Sequence, residues 1–153
     1  MRTKNKNKKI LFVCTGNTCR SPMAEIILKK KIKDANITGV RVSSAGLSAS
    51  AGAPISQNSA LALKGLGYKV GAFKSKMATP KMISRAELVI CMTKEHKRYL
   101  SAFERVYTMD EVTGMGDITD PYGRNLEIYM ETARQIEKAC EIIISELIKV
   151  KGE

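Results

Sequence analysis

Tryptophan is absent from this chain of 153 residues, aromatic residues make up only 5 %, and there is a single histidine, His96. Aromatics this scarce, and not interleaved with basic residues, argue against a platform on which single-stranded nucleic acid stacks. With one histidine and no second close cysteine pair besides Cys14 and Cys19, the four ligands of a zinc site cannot be assembled. No metal and no cofactor are expected. Long apolar runs are also missing: Ile10–Cys14 and Ile142–Ile144 fall far short of the roughly 20 residues that cross a bilayer. The short apolar run after the basic start "MRTKNKNKK" is followed by no cleavage site of small residues, so it is not read as an export signal. The four cysteines (Cys14, Cys19, Cys91 and Cys140) are therefore expected as reduced thiols in a cytoplasmic protein, not as a disulfide framework. A G-x-x-x-x-G-K-[ST] nucleotide loop is lacking as well, and the Gly65/Gly67 pair reads as a helix stop.

What is plentiful is positive charge. The net charge is +11, and Arg2, Lys4, Lys6, Lys8 and Lys9 all precede the first apolar run. This stretch reads as a solvated basic tail over residues 1–8, ahead of one domain over residues 9–150. Attraction to anions is the alternative.

Along the chain, apolar and polar patterns alternate between strand and helix. "KILFVC" is a continuous apolar run, as expected of a strand covered on both faces. A helix follows from Arg20 to about Ala35, with Ser21 as the cap-type residue and Pro22 in the first turn. Gly39–Gly46 alternates like a strand, and "ISQNSALALKGLG" reads as a helix ending at Gly65 or Gly67. "TPKMISRA" reads as a short helix, Glu87–Met92 as a buried strand, "TKEHKRYLSAF" as a helix and "RVYTM" as a fourth strand. Asp110 to Gly123 reads as a long loop. From about Asn125 to Val150, Leu126, Tyr129, Ala133, Ile136, Cys140, Ile143, Leu147 and Val150 form one helical stripe. Cys140 on that stripe and Cys91 in its strand read as core residues, and His96, among charged neighbours, as a helix-surface residue. The expected fold is a single α/β domain: a four-stranded parallel sheet with helices on both faces. Such sheets bind ligands at the carboxyl ends of their strands.

The segment "VCTGNTCRSPMAE" lies at such an end. Between Cys14 and Arg20 the chain passes from strand to helix. Gly16 permits a positive φ there, and Asn17 tolerates the left-handed region. A loop curled in this way turns N–H groups inward, and the helix adds the positive end of its dipole. Arg20 brings a fork of donors matched to two oxygens of a tetrahedral oxyanion. The guest is a dianion the size of phosphate. A thiol in that field is held as thiolate, the nucleophilic form, and Ser21 can donate to the sulfur. Cys14 is thus read as a nucleophile directed at phosphorus. A leaving group needs a proton, and the donor is sought in "DITDPYG". Asp120, held extended by Pro121, could give a proton and later take one from water. On composition Asp117 and Asp110 are rivals.

Cys14-Thr15-Gly16-Asn17-Thr18-Cys19-Arg20-Ser21 is a C-x5-R-S signature, followed by Pro22-Met23-Ala24-Glu25 and, near the C-terminus, by Asp120-Pro121-Tyr122-Gly123. On these residues the chain resembles the low-molecular-weight protein tyrosine phosphatase family, from about Lys9 to Leu147. The resemblance implies metal-free hydrolysis of phosphorylated protein side chains through a cysteinyl-phosphate. It implies Cys14 as nucleophile, Arg20 as phosphate clamp and Asp120 as acid, then base. Thr15, Gly16, Asn17, Thr18, Cys19 and Ser21 form the phosphate-binding loop, with Ser44 and Tyr122 in support. Partners would be phosphorylated proteins, not nucleic acid or membrane, and the chain would act as a monomer.

Within that family "CTGNTCRSP" is most similar to the protein-arginine phosphatases. Tyrosine-specific members usually carry isoleucine or a similar apolar residue at the position of Thr18. A threonine keeps the shape and adds a hydroxyl able to orient a guanidinium or a water, while Asp120 could pair with the guanidinium charge. Phosphoarginine is therefore the expected substrate, with phosphotyrosine the alternative. Arsenate reduction, which needs further cysteines to pass a disulfide outward, and a cradle that binds phosphate without turnover are set behind both. Cys19 is read either as a partner for oxidised Cys14 in a reversible disulfide or as a small residue packed under the helix start.

Overall fold

The structure is a computed structural model, and it describes residues 8–152. Of the basic tail expected over residues 1–8, residues 1–7 lie outside the described residues, and Lys8 is already the first residue of the first strand. In chain order the elements are β1 (Lys8–Cys14), α1 (Arg20–Asp34), β2 (Val40–Gly46), α2 (Gln57–Gly65), α3 (Pro80–Arg85), β3 (Leu88–Cys91), α4 (Lys94–Tyr99), β4 (Val106–Thr108), α5 (Met109–Thr113) and α6 (Leu126–Gly152). All strand pairs are parallel and the sheet order is β2-β1-β3-β4. The chain leaves β1 for β2 on one side and then returns past β1 to β3 on the other. The carboxyl end of β1 is therefore where the strand order reverses, the place at which such sheets hold ligands.

The period of two along β1 sorts its side chains onto two cores. Ile10, Phe12 and Cys14 face one buried cluster together with Met23, Ile27 and Leu28 of α1, Ala62 and Leu63 of α2, and Tyr129, Ala133, Ile136, Cys140 and Ile143 of α6. Leu11 and Val13 face the other, with Ile83 of α3, Val89 and Cys91 of β3, and Leu100 just past α4. A strand buried on both faces has no polar side, which is why "ILFVC" carries no alternation. Phe12 is wholly buried, a burial that stabilises the fold by roughly 1.5–3 kcal/mol. Among the described residues no helix is long and apolar enough to cross a membrane.

Helix starts follow side-chain chemistry. Ser56, Thr79, Thr93 and Thr108 cap α2, α3, α4 and α5, each hydroxyl accepting from the N–H three residues on. Each such cap contributes about 1 kcal/mol. Helix α2 ends at Gly65, one of the two stops the sequence offers. The segment read as loop from Asp110 begins instead inside a helix. Thr108 and Glu111 form a capping box around the first turn of α5, and Gly114, at φ 75°, closes it in the left-handed conformation. Helix α6 bears out the apolar stripe through Tyr129, Ala133, Ile136, Cys140 and Ile143, whereas Leu126, on its first turn, is exposed.

Candidate active site

The end of β1, the start of α1 and the segment before α6 meet around one cavity of about 280 Å³. It is lined by Cys14, Thr15, Gly16, Thr18, Cys19, Arg20, Asp120 and Tyr122. The loop from Cys14 to Arg20 turns at Asn17, which has φ 55°. Gly16, expected to supply the positive φ, does not adopt it, and a Cβ there would meet only Thr18 Oγ1 at an ordinary 3.7 Å. Asn17 accepts the left-handed conformation because its buried side chain is tied down at three points. Its Oδ1 accepts from Lys76 N at 2.8 Å, and its Nδ2 donates to Ser21 Oγ at 2.8 Å and to Ser44 Oγ at 2.9 Å.

These bonds set the direction of a chain that ends at the sulfur. Lys76 N–H is a donor, so the amide oxygen of Asn17 must face it and the amide nitrogen must face the two serines. Ser44 Oγ, accepting from Asn17, donates its own proton to Glu25 Oε1 at 2.6 Å. Ser21 Oγ, also accepting from Asn17, has its proton left for Cys14 Sγ, 2.9 Å away. Asn17 N donates to the same sulfur at 3.3 Å. Two donors thus converge on Cys14, which is 2 % exposed. Ser21 is not the cap of α1: the cap is Cys19, which makes no side-chain cap bond, and the Ser21 hydroxyl is given to the sulfur instead. Among the described residues the backbone N–H groups of Gly16, Thr18, Cys19, Arg20 and Ser21 meet no protein acceptor. Together with the start of α1 they have the arrangement of a nest, the kind of concavity that suits an anion.

Arg20 is 4 % exposed and is aimed by two contacts. Its Nη1 donates to Ile118 O at 3.1 Å, and its Nη2 lies 3.5 Å from Asp120 Oδ2. The Asp120 side chain is 55 % exposed, at the mouth of the cavity, and its Oδ1 accepts from Tyr122 N at 3.1 Å in a local turn across Pro121. The rival carboxylates are placed elsewhere: Asp110 Oδ1 accepts from Gly116 N at 2.7 Å, in a turn after α5, and neither Asp110 nor Asp117 lines the cavity. Tyr122, exposed, forms a wall. Cys19 turns its thiol towards Ser56 Oγ at 3.6 Å and Tyr129 Oη at 3.5 Å, and both Cys14 and Cys19 are free thiols. Burial, then the bond to Cys19, raises the Tyr129 pKa to about 12, so its hydroxyl stays protonated. Burial pushes the Cys91 thiol up to about 12 as well, and that residue is core.

Three features were not legible in the sequence. His96 is 5 % exposed, not a surface residue; its Nε2 lies 3.0 Å from Thr15 Oγ1 and its Nδ1 3.1 Å from Thr93 Oγ1. Burial, then the Arg20 guanidinium, lowers its pKa to about 4 against the opposing pull of Asp120 and Asp117. Glu25, buried in the first turns of α1, accepts a hydrogen bond from Ser44 Oγ and pairs with Lys29. Gly46, at the end of β2, backs the loop: an added Cβ would lie 2.6 Å from Thr15 O and 2.9 Å from Asn17 N. Both contacts are backbone and cannot swing away. Gly46→Ala is expected to lower stability by about 1–3 kcal/mol, read as a fall in the urea midpoint, and to reduce phosphate affinity with it.

The fold and the site define an α/β protein in which a cysteine at the end of the first strand, a curled loop of N–H groups unpaired among the described residues, and a buried arginine line one cavity. The model of the low molecular weight phosphotyrosine protein phosphatases matches residues 9–152, and the chain belongs to that family. It is 36 % identical to a protein-arginine-phosphatase of Geobacillus stearothermophilus, over 91 % of this chain and 95 % of that one. Among solved structures it is similar to a low molecular weight protein tyrosine phosphatase from T. tengcongensis, with 36 % identity, a TM-score of 0.85, and coverage of 91 % of this chain and 99 % of the other. It is also similar to the arginine phosphatase YwlE, solved as a cysteine-to-serine mutant with a phosphorylated active-site serine. There the identity is 35 %, the TM-score 0.86, and the coverage 92 % and 96 %.

Proposed function

We propose that this chain is a cysteine-dependent protein phosphatase that hydrolyses phosphoarginine in preference to phosphotyrosine. The observation that carries the phosphatase reading is that Cys14, Arg20 and Asp120 line one cavity, with two donors on the Cys14 sulfur. The phosphoryl group sits in the nest with two oxygens on Arg20. The Cys14 thiolate attacks phosphorus and the bond to the substrate nitrogen breaks, while Asp120 gives that nitrogen its proton. Water then attacks the cysteinyl-phosphate. Asp120, now ionised, takes the water's proton, the S–P bond breaks, and Ser21 and Asn17 N receive the returning thiolate. The phosphorylated serine of the YwlE mutant supports transfer to the protein at such a site. All three groups come from one chain, so a monomer suffices, and a reducing cytoplasm keeps Cys14 free.

The preference for arginine rests on Thr18 and Asp120. Thr18 lines the cavity and its hydroxyl has only a distant contact, 3.8 Å, with Cys19 Sγ. It is available to a guanidinium N–H, and the half-exposed Asp120 carboxyl, which holds the proton it later gives, offers its carbonyl oxygen to another guanidinium N–H. A site that hydrogen-bonds its substrate discriminates more strongly than an apolar slot. The test is kcat/KM on phosphoarginine and phosphotyrosine peptides for wild type and Thr18→Ile. The substitution is expected to move the ratio towards tyrosine by roughly tenfold or more. A wild type that prefers tyrosine, with a ratio unmoved by Thr18→Ile, would assign the chain to the tyrosine branch.

A further inference from the structure

His96 is the one histidine of the chain, and the reaction as described leaves it without work. Its position is nonetheless specific. It stands in the first turn of α4, directly after the carboxyl end of β3, and reaches across to the residue next to the nucleophile. Both ring nitrogens meet hydroxyls, Thr93 on one side and Thr15 on the other. Thr15 itself is exposed in the cavity that holds Cys14, Arg20 and Asp120.

The direction of the bonds follows from proton counting. Thr93 Oγ1, as the cap of α4, already accepts from His96 N at 3.3 Å. If its own proton goes to Nδ1, the ring proton sits on Nε2 and is donated to Thr15 Oγ1. The Thr15 proton is then left for the cavity. In the opposite tautomer Thr15 spends its proton on Nε2 and turns only lone pairs towards the guest. A dianion selects the first arrangement, because it accepts and cannot donate. The low pKa of His96 keeps the ring neutral at physiological pH, as a donor on one side and an acceptor on the other requires. The charged groups that bear on the ring are Arg20, Asp120 and Asp117, and Arg20 acts on it more strongly than either carboxylate.

We propose that His96 is a positioning residue of the phosphate loop, its ring bridged between Thr93 and Thr15 so that the Thr15 hydroxyl donates its proton to the bound phosphoryl group. The inference rests on the phosphatase reading, and it adds a side-chain donor, the Thr15 hydroxyl, to the cavity that Arg20 and Asp120 also line. The relay also ties the loop after β1 to the helix after β3, across the point where the strand order reverses.

Because His96 is the only histidine, its tautomer can be read without assignment, from the long-range ¹⁵N couplings of its ring in the uniformly labelled wild-type protein, with and without inorganic phosphate. The expected result is a neutral ring protonated at Nε2 when phosphate is bound. Protonation at Nδ1 in the phosphate complex, or an imidazolium at pH 6, would overturn the proposal. Calorimetry with inorganic phosphate gives the energetic arm. Thr15→Val is expected to weaken binding about tenfold, as loss of one donor to a charged acceptor does, and Thr15→Ser to restore it. His96→Ala should weaken it to the same degree, His96→Gln less, and the double variant Thr15→Val/His96→Ala no further than either single change. Losses that multiply, or a Thr15→Val variant that binds phosphate like the wild type, would show that the hydroxyl and the ring do not act together. Hydrolysis by the wild type is scored separately: its absence would sink the phosphatase reading, whereas a hydrolysing enzyme with additive losses would sink only the role of His96.

Discussion

Cys14→Ser is expected to stop turnover while leaving the phosphate site in place. Loss of a covalent nucleophile costs on the order of 10⁴- to 10⁶-fold in kcat. The physical reason is the acceptor atom. Ser21 and Asn17 N converge on a large, polarisable sulfur, and a thiol is a far stronger nucleophile than the serine hydroxyl that would replace it. The nest and Arg20 are untouched by the change, so inorganic phosphate should still bind. Cys14 is nearly buried and serine is smaller, so the fold should survive, and a thermal scan checks that. An aryl phosphate assay in EDTA checks the rest. Activity that persists in Cys14→Ser would remove the covalent mechanism.

Asp120→Ala is the second large effect, with kcat expected to fall by about 10²- to 10⁴-fold, the usual contribution of a positioned acid or base. The same side chain serves both steps, as proton donor to the leaving atom and then as base for water. With a leaving group that departs without a proton, such as nitrophenolate, only the second step should suffer, and a burst of nitrophenolate equal to the enzyme should precede slow turnover. Asp117→Ala should have little effect, because that carboxylate does not line the cavity. A burst-free Asp120→Ala variant with wild-type turnover would return the role to another group.

Much of the arrangement was legible before any coordinates. The strands at β1 and β3 announced themselves because a parallel sheet covered on both faces leaves no polar side, and "ILFVC" and "LVIC" have none. The crossovers followed from the alternation of elements, and the site from its place at the carboxyl end of the first strand; the strand order that reverses there is visible only in the structure. Residues that act through local geometry were also readable: Asn17 at the turn, Arg20 six residues after Cys14, and Asp120 ahead of Pro121. What escaped was of two kinds. Helix α5 was hidden in a glycine-bearing loop, although Thr108, Glu111 and Gly114 carry a complete start and stop signal; five residues give too little periodicity to be noticed. At Ser21 only the cap reading failed, since its place before Pro22 fits a cap that Cys19 fills instead; its donation to the Cys14 sulfur was expected and is found, with the Asn17 amide fixing the direction. His96 escaped for a tertiary reason. Its sequence neighbours Glu95 and Lys97 are charged and solvent-facing, and nothing local tells that the first turn of α4 faces Thr15, 81 residues earlier. Glu25 and Gly46 are of the same kind, since their partners Ser44, Thr15 and Asn17 are distant along the chain.

Phosphoryl transfer to one sulfur is the central step. The direct test uses Asp120→Ala, in which the second step is slowed. The variant is mixed with an aryl phosphate, quenched in acid within one turnover, digested and read by mass spectrometry. The expected result is one phosphoryl group on the peptide that contains Cys14, lost when Cys14 is also replaced. Substrate consumed with no phosphate on that peptide, or phosphate found on another residue, would contradict the mechanism.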